Sequence, residues 1–402
     1  SPGGGAREAI PPGTAQVWVD TSGGSCARRA VPTAWVDASA CGSLPSAYRV
    51  ARAGDTVNIV DGVYASQTLT GGTKAVRFQA AGPGRPRFGQ IVSAASGITL
   101  RGVAIEGRDV DGNPHACPDP DNAVLYPCGA RQTFENVIVD GLGARGADVH
   151  GIRGVGDHFV LRNSEIRNIV DNKGFEAGAD DMVLDHNLWH GIVSTSEFTH
   201  NECAYVDGGN RQIWRRNRFV GCPTMAMYFT NWDGGSPYRQ VLIENNMFGH
   251  TLDDEQAFHS GCGVVLGLGQ NRQNTFIEWT VRYNTFESSV CSDGSPSGVD
   301  DRTGRWYGNV GTGWGCAPEF VYHHNVGTAC GRQDLAVAAA SNDRGRPNRV
   351  AWYVNAPGGN LHLRPGTRPI GRGDPTDYPR IDIDGQRRPQ GRAPDAGADE
   401  AG

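Results

Sequence analysis

Asparagine recurs in similar strand-like phrases along the middle of the chain, and this repeat constrains the fold more than any other sequence feature. The repeated residues are Asn136, Asn163, Asn187, Asn217, Asn246, Asn284, Asn309 and Asn325. Most of the gaps between them are 24 to 30 residues. A period in the twenties with β-type phrases indicates a stacked β-solenoid, in which each coil buries its apolar face against its neighbours. Asparagine tolerates the left-handed bend between strands, and stacked amides can hydrogen-bond from coil to coil.

An ordinary β-sandwich whose hairpins happen to carry asparagine is the competing interpretation, and the regular spacing favours the solenoid. The 57 glycines fit many short strands with tight corners. The net charge is −6, with no basic patch that would indicate a nucleic-acid partner. No apolar run approaches the length of a membrane span. The oligomeric state is left open by the sequence.

The ten cysteines form an even, dispersed set without a C-x-x-C motif, which favours disulfides and an oxidising compartment over a zinc ribbon. We predict bridges between cysteines that are near in sequence. The predicted pairs are Cys26 with Cys41, Cys117 with Cys128, Cys203 with Cys222, Cys262 with Cys291, and Cys316 with Cys330. The protein is therefore expected to be secreted, with a signal peptide already removed.

One domain over residues 17–402 is predicted, preceded by a flexible N-terminus at 1–16. Coils are expected from about Val76 to Asn325, and a Pro-, Gly- and Arg-rich segment from about 334 is expected to close the solenoid. A solenoid also needs a cap over its open apolar end. A short helix with Tyr48 turned inward, just before the first coil, meets that need.

Two stretches of the chain resemble a known superfamily. The phrase from Ala53 to Tyr64, AGDTVNIVDGVY, resembles the opening of secreted right-handed parallel β-helix proteins of the pectate-lyase-like superfamily. The ending, from Asp382 to Glu400, is similar to the C-terminus of many bacterial extracellular β-helix proteins. The resemblance implies an all-β, right-handed parallel β-helix with an N-terminal cap. It leaves function open, because the superfamily holds polysaccharide lyases, glycoside hydrolases, epimerases and tailspike-like binders.

The strand before each repeated asparagine is expected to line a binding groove. Alternation predicts that Ala204 and Val206 face inward while Tyr205 and Asp207 face outward. Arg153 and Asp207 each lie ten residues before an asparagine of the repeat, so we expect them to stack in register. Further candidates for binding a polysaccharide substrate are Tyr228, Trp232, Asp233 and Tyr238.

The first candidate chemistry is β-elimination on an acidic polysaccharide, which needs a base and a partner that neutralises the substrate carboxylate. Lys173 or Tyr205 is the candidate base, and Arg153 is the candidate partner of the carboxylate. The resemblance implies a lysine base with arginine or calcium partners. His259 is a further acid or base candidate.

Two alternatives remain open. Glycoside hydrolysis by a carboxylate pair would use Asp207 with another acid, Glu202 among them. The pair Asp180 and Asp181 resembles the paired aspartates of polygalacturonase-like hydrolases, and the same pair is the candidate Ca²⁺ site. A non-catalytic, glycan-binding solenoid is the third possibility.

Overall fold

Three long parallel sheets run the length of the molecule and enclose one apolar core. The computed structural model describes residues 12–108, 110, 116–117, 122–143, 149–195, 201–230, 238–249, 262–268, 277–287, 289–292, 303–311, 320–327, 341–343 and 349–401. Within each sheet, every strand pairs with the corresponding strand of the next coil. The chain therefore winds as a parallel β-helix in which most coils contribute one strand to each sheet, and the described residues form sheets of 12, 9 and 11 strands.

The sheets are named A, B and C. Sheet A comprises Val17–Val19, Thr56–Ile59, Arg77–Ala80, Thr99–Arg101, Thr133–Glu135, Val160–Arg162, Val183–Asp185, Ile213–Arg215, Leu242–Glu244, Thr280–Arg282, Gly304–Tyr307 and Phe320–His323. Sheet B comprises Gln67–Leu69, Ile91–Ser93, Asn122–Tyr126, Val149–Arg153, Phe175–Ala177, Ala204–Asp207, Met227–Thr230, Cys262–Leu268 and Ser289–Ser292. Sheet C comprises Val63–Tyr64, Arg87–Phe88, Ala104–Glu106, Ile138–Asp140, Glu165–Arg167, Leu188–His190, Arg218–Val220, Met247–Phe248, Thr285–Phe286, Val310–Gly311 and Val326–Gly327.

Outside these sheets lie the α-helices Leu44–Val50 and Arg349–Trp352, the 3₁₀ turns Asp37–Ser39 and Ala356–Gly358, and the antiparallel pair Tyr353–Asn355 with Asn360–Leu363. Neither of the described α-helices is long and apolar enough to cross a membrane.

Buried asparagines form a hydrogen-bonded ladder along the corner between sheets A and C. Its rungs are Asn187, Asn217, Asn246, Asn284, Asn309, Asn325 and Asn342. At Asn246, for example, Oδ1 accepts from the backbone N and the Nδ2 of Asn217, at 2.9 and 3.0 Å. Its Nδ2 donates to the carbonyl of Trp214 at 2.8 Å and to Asn284 Oδ1 at 2.9 Å. Each rung thus satisfies backbone groups that the bend leaves outside the sheets.

Asn136 and Asn163 do not belong to this ladder, which corrects their place in the sequence repeat. They occupy the preceding corner position, where φ is +53° and +52°. In later coils the same corner position holds His186, Arg216, Asn245, Tyr283, Gly308 and His324, all with positive φ. In the earlier coil Ser164 stands at the ladder position, and its backbone N donates to Asn187 Oδ1. The residues with left-handed geometry and the residues of the amide ladder therefore form two adjacent columns along this corner.

Aromatic side chains stack along the core face of sheet C in the same coil-to-coil order. Ring centroids are separated by 4.6 Å for Trp189 and Phe219, 5.0 Å for Phe219 and Phe248, and 4.9 Å for Phe248 and Phe286. These four side chains are at most 2% exposed. Because successive coils place equivalent residues one strand spacing apart, one favourable contact is repeated along the axis.

The N-terminal cap is the helix Leu44–Val50, as predicted. Ser43 caps it by accepting a hydrogen bond from Ser46 N at 3.2 Å, and Leu44, Ala47 and Tyr48 are buried. The solenoid begins earlier than Val76, because Val17–Val19 already pairs with Thr56–Ile59. The predicted flexible segment 1–16 is also too long at its C-terminal end, since Ala15 is buried and bridges Thr33.

Residues of the C-terminal segment lie against the last coils, as expected for a closing segment. Asp377 accepts hydrogen bonds from Arg282 at 2.6 Å, Arg305 at 2.9 Å and the Tyr307 hydroxyl at 2.8 Å. Arg388 is buried and donates to the carbonyls of Asp395 and Gly397. The contacts of Asp377 attach the segment to sheet A, whereas these two contacts of Arg388 lie within the segment itself.

Three of the predicted disulfides are confirmed: Cys26–Cys41, Cys117–Cys128 and Cys203–Cys222. Cys291 is also disulfide-bonded. The side chain of Cys262 and the whole of Cys316 and Cys330 lie outside the described part of the chain, so those two pairings stay predictions. Cys203 precedes the sheet B strand Ala204–Asp207. Closing a loop of 19 residues there stabilises the fold by roughly 3 kcal/mol, because it lowers the conformational entropy of the unfolded chain.

We predict that Asn246→Ala lowers the free energy of unfolding by roughly 3 kcal/mol or more, because it leaves buried donors and acceptors on two neighbouring coils without partners. Asn163→Gly is the matched control, since Asn163 is exposed and sits at a left-handed corner that glycine adopts freely. It should change stability by less than about 1 kcal/mol. Guanidinium unfolding with the disulfides intact measures both, and equal effects would contradict the assignment of the ladder.

Candidate functional site

A row of polar and aromatic side chains crosses four consecutive coils on the outer face of sheet B. In register, Arg153 pairs with Glu176, Glu176 with Tyr205, and Tyr205 with Tyr228. The residues flanking them along each strand, such as Ile152 and Phe175, are fully buried in the core. Strand alternation therefore turns this row outward.

Glu176 is the centre of this cluster. Its Oε2 lies 2.8 Å from Lys173 Nζ and 2.8 Å from Arg153 Nη1, and 3.1 Å from His150 Nδ1. The side chains of Arg153, Lys173 and Glu176 are 14%, 18% and 17% exposed, so the group is sheltered yet reachable from solvent. One carboxylate oxygen therefore holds two cationic side chains side by side.

His150 is the neutral member of the cluster. It is 3% exposed, and burial, followed by the charges of Arg153 and Lys173, lowers the pKa of His150 to about 2. Arg153 Nη1 lies 2.9 Å from His150 Nε2. A guanidinium can only donate, so Nε2 is the acceptor and the proton resides on Nδ1. That Nδ1 faces Glu176 Oε2, although the angle falls short of a good hydrogen bond.

Two tyrosine rings extend the cluster along the solenoid axis. Lys173 Nζ lies 4.4 Å from the centroid of the half-buried Tyr205 ring, which is within cation–π range. Tyr205 packs edge to face against Tyr228, with centroids 5.3 Å apart, and Tyr228 is itself buried, so it supports the Tyr205 ring from beneath. Burial, followed by the negative charge of Asp207, raises the pKa of the Tyr205 phenol well above its usual range. Tyr205 therefore keeps its proton, which argues against it as a base.

Alternation in Ala204–Asp207 is as predicted, but its register with Arg153 is not. Ala204 and Val206 are fully buried, whereas Tyr205 is half-buried and Asp207 is exposed. Arg153 stacks over Glu176 and Tyr205, while Asp207 pairs with Thr230. Counting back from the asparagines fails here for two reasons. Asn163 stands at the left-handed corner whereas Asn217 stands one position later, on the ladder, and the bends between sheets B and A differ in length from coil to coil.

Other candidates fall outside this surface. Glu202 is fully buried, so its carboxylate does not meet a polysaccharide. Tyr238 is 1% exposed, and its hydroxyl accepts from Gly208 N at 2.5 Å and donates to the carbonyl of Val206 at 2.8 Å. It is a core residue rather than a platform for a sugar ring. Trp232, Asp233 and His259 lie outside the described residues.

The Asp180 and Asp181 pair does not have the character of a calcium site. Arg211 donates to Asp181 Oδ1 at 2.7 Å and to Asp180 Oδ2 at 2.8 Å. Asn210 donates to Asp180 Oδ1 through its backbone N at 2.8 Å. A guanidinium therefore occupies the side from which a cation would bind, and this correction removes calcium from these two residues.

His150 and Glu176 are the site residues that the sequence analysis missed. Glu176 stands between Phe175 and Ala177 in a strand pattern that turns it outward, so alternation was a usable signal. His150 gave no such signal, because a buried neutral histidine in a strand has the pattern of a core residue.

Comparisons with known proteins place the fold but not the activity. Protein-family models and curated sequences give no match. Among solved structures, pectate lyase Pel9A is similar with a TM-score of 0.53 and 15% identity over 96% of both chains. A rhamnogalacturonan lyase has a TM-score of 0.39 and 12% identity, with 78% of this chain and 73% of that chain covered. The first likeness, with the all-parallel sheets, shows that this chain is a right-handed parallel β-helix.

The neutral state of His150 predicts an acid-dependent loss of stability. The unfolded histidine has a pKa near 6.5, so between pH 6.5 and 2 the unfolded state binds the extra proton and stability falls as pH falls. Between pH 7 and pH 5 the loss from this residue is roughly 2 kcal/mol. His150→Gln should lack this component, as guanidinium unfolding at both pH values measures. Identical pH slopes for the two proteins would contradict the assignment.

Proposed function

We propose that this protein is an extracellular polysaccharide lyase that cleaves an acidic, uronate-containing polysaccharide by β-elimination at the His150–Glu176 surface of sheet B. The observation that carries the proposal is the pairing of Arg153 and Lys173 on one oxygen of Glu176, beside two tyrosine rings. Two cations and adjacent aromatic faces are what an anionic sugar chain needs from its binding surface. The disulfides are consistent with secretion.

In the proposed reaction, Arg153 binds the uronate carboxylate and neutralises the charge that develops on it. Its planar guanidinium is suited to carboxylates because it can donate two parallel hydrogen bonds. The substrate carboxylate would take the place that Glu176 now holds on Arg153. Stabilising the enolate-like transition state in this way is the largest single contribution expected.

Lys173 is the proposed base, and it must first release to solvent the proton that its ion pair with Glu176 now holds. It removes the proton from the carbon next to the carboxylate, and the electron pair forms the double bond as the β carbon–oxygen bond breaks. Tyr205, which its raised pKa keeps protonated, is the proposed acid that donates its phenolic proton to the departing oxygen. Lys173 Nζ lies over the Tyr205 ring, so both groups face the same stretch of substrate.

Hydrolysis by Glu176 and Asp207 is the second candidate. Asp207 lies two residues beyond Tyr205, the register partner of Glu176, so the two acids are diagonal neighbours on one face. The Cα atoms of such neighbours are roughly 7–8 Å apart. Inverting glycosidases separate their carboxyl groups by a comparable distance, roughly 6.5–9.5 Å. The three nitrogen atoms around Glu176 Oε2 weigh against this role, because they occupy the oxygen that would serve the substrate.

The reaction product distinguishes the candidates. We predict that a panel of uronate and neutral polysaccharides yields, on at least one uronate polymer, a product that absorbs in the ultraviolet as an unsaturated uronate does. Hydrolysis would release reducing ends without that absorbance, and a glycan binder would release neither. Reducing ends without absorbance on every active substrate would overturn the lyase proposal.

We predict that Arg153→Ala lowers kcat/KM by about 100-fold or more, because the substrate carboxylate loses its cationic partner. Arg162→Ala is the matched control. Arg162 forms an exposed ion pair with Glu135 on sheet A, at 3.1 Å, and its removal should leave kcat/KM within about two-fold. Steady-state kinetics on the active polymer, with unfolding curves for both variants, makes the comparison. Wild-type activity in a folded Arg153→Ala protein would rule out the proposed site.

A further inference from the structure

The last strand of sheet A and the C-terminal segment bring together two imidazoles and a carboxylate away from the sheet B surface. His323 Nδ1 lies 3.0 Å from His324 Nδ1 and 3.3 Å from Asp374 Oδ2. His324 Nδ1 lies 3.7 Å from the same Oδ2. Three atoms with lone pairs thus face one another. A proton shared between two of them can form a hydrogen bond in only one of the three contacts.

The spacing fits a tetrahedral metal ion. Zinc lies about 2.0–2.1 Å from imidazole nitrogen and about 2.0–2.2 Å from carboxylate oxygen. At tetrahedral angles, such ligand atoms are separated by about 3.3–3.5 Å. The three observed separations, 3.0, 3.3 and 3.7 Å, bracket that value. Two nitrogen ligands and one oxygen ligand favour a borderline transition metal over calcium, which prefers oxygen.

The residues around the cluster hold its ligands in place. Asp374 is 5% exposed, and its other oxygen, Oδ1, accepts from the backbone N of Thr376 at 2.8 Å and from the Thr376 hydroxyl at 2.7 Å. His323 stacks flat on Tyr307, with centroids 4.6 Å apart. Such supporting contacts are typical of metal ligands.

A second group, His362, Asp384 and Asp399, is the useful contrast. His362 Nε2 lies 2.6 Å from Asp384 Oδ2, and its Nδ1 lies 2.5 Å from Asn360 Oδ1. Arg218 donates to Asp384 Oδ1 at 2.5 Å. Both His362 nitrogens and both Asp384 oxygens thus have protein partners, and Asp399 Oδ2 accepts from Leu363 N at 2.7 Å, so this group is an ion-pair network.

We propose that His323, His324 and Asp374 form a binding site for one divalent transition-metal ion, zinc being the best match, that fastens the C-terminal segment to the end of the solenoid. The fourth position is left to water. Asp377, which also lies near His323, is neutralised by Arg282 and Arg305, so Asp374 supplies the negative charge of the site. Because the ligands belong to sheet A and to the closing segment, binding stabilises their contact.

The test uses the full chain with its disulfides intact, freed of metal with a chelator and titrated with zinc chloride alone by calorimetry at pH 7.5. We expect one zinc per chain and a rise in Tm of several degrees at saturation. Cobalt(II) in place of zinc should give the visible absorption of a tetrahedral site.

The variants are chosen to preserve the fold. His324→Asn places at a left-handed corner the residue that already occupies that position at Asn136, Asn163 and Asn245. Asp374→Asn keeps an oxygen that can accept from Thr376. Both should weaken zinc binding by roughly 100-fold or more and abolish the Tm rise. The matched control, His362→Asn, should bind zinc like the wild type.

Three outcomes would overturn the proposal. The first is a wild-type chain that binds no zinc. The second is unchanged affinity in both His324→Asn and Asp374→Asn. The third is loss of binding in His362→Asn with retention in the other two, which would move the site to the contrasting group.

Discussion

Coil-to-coil pairing in fixed register is the constraint on which the rest of this structure depends. Every described strand of the three sheets hydrogen-bonds to its equivalent one coil away, and a slip of one residue would exchange the core face with the solvent face. The asparagine ladder reinforces that register, because each amide must lie about 3 Å from the next for the hydrogen bonds at the bend to form. The same repetition that stacks Phe219 on Phe248 inside the core stacks Glu176 beside Tyr205 outside it. The outer surface is therefore as ordered as the core.

The sequence predicted the fold because the ladder demands the same residue once per coil. No other short polar side chain both accepts and donates twice at a buried bend, so the asparagine period is visible without a structure. The pattern was less exact at its beginning. Asn136 and Asn163 stand at the left-handed corner, where asparagine is only one of several tolerated residues, and not at the ladder position. Both positions favour the same residue type for different physical reasons, so the sequence alone could not separate the two columns.

The site was predicted in part, and the failures have two causes. Arg153, Lys173 and Tyr205 are brought together, but the alignment of Arg153 with Asp207 was wrong. Side-chain direction within a strand follows from local alternation, as Ala204–Asp207 shows. Alignment between strands depends on the length of the bends, which a repeat at another corner does not report. Burial was the second gap, because Tyr238 and Glu202 look like surface residues in sequence and lie in the interior.

The two ends of the solenoid need a different chemistry from its middle. A repeat that pairs with its neighbours has no intrinsic stop, and its terminal coils expose both unpaired strand edges and an apolar cross-section. At the N-terminal end a helix covers the core, and the Cys26–Cys41 bridge lies close by. At the C-terminal end the closing segment shares an apolar cluster with sheet C, in which Leu361 and Ile383 join Val310, and polar contacts such as that of Asp377 with Arg282 also attach it. A metal held by His323, His324 and Asp374 would act in the same way as the polar contacts, because it joins the last described strand of sheet A to the closing segment.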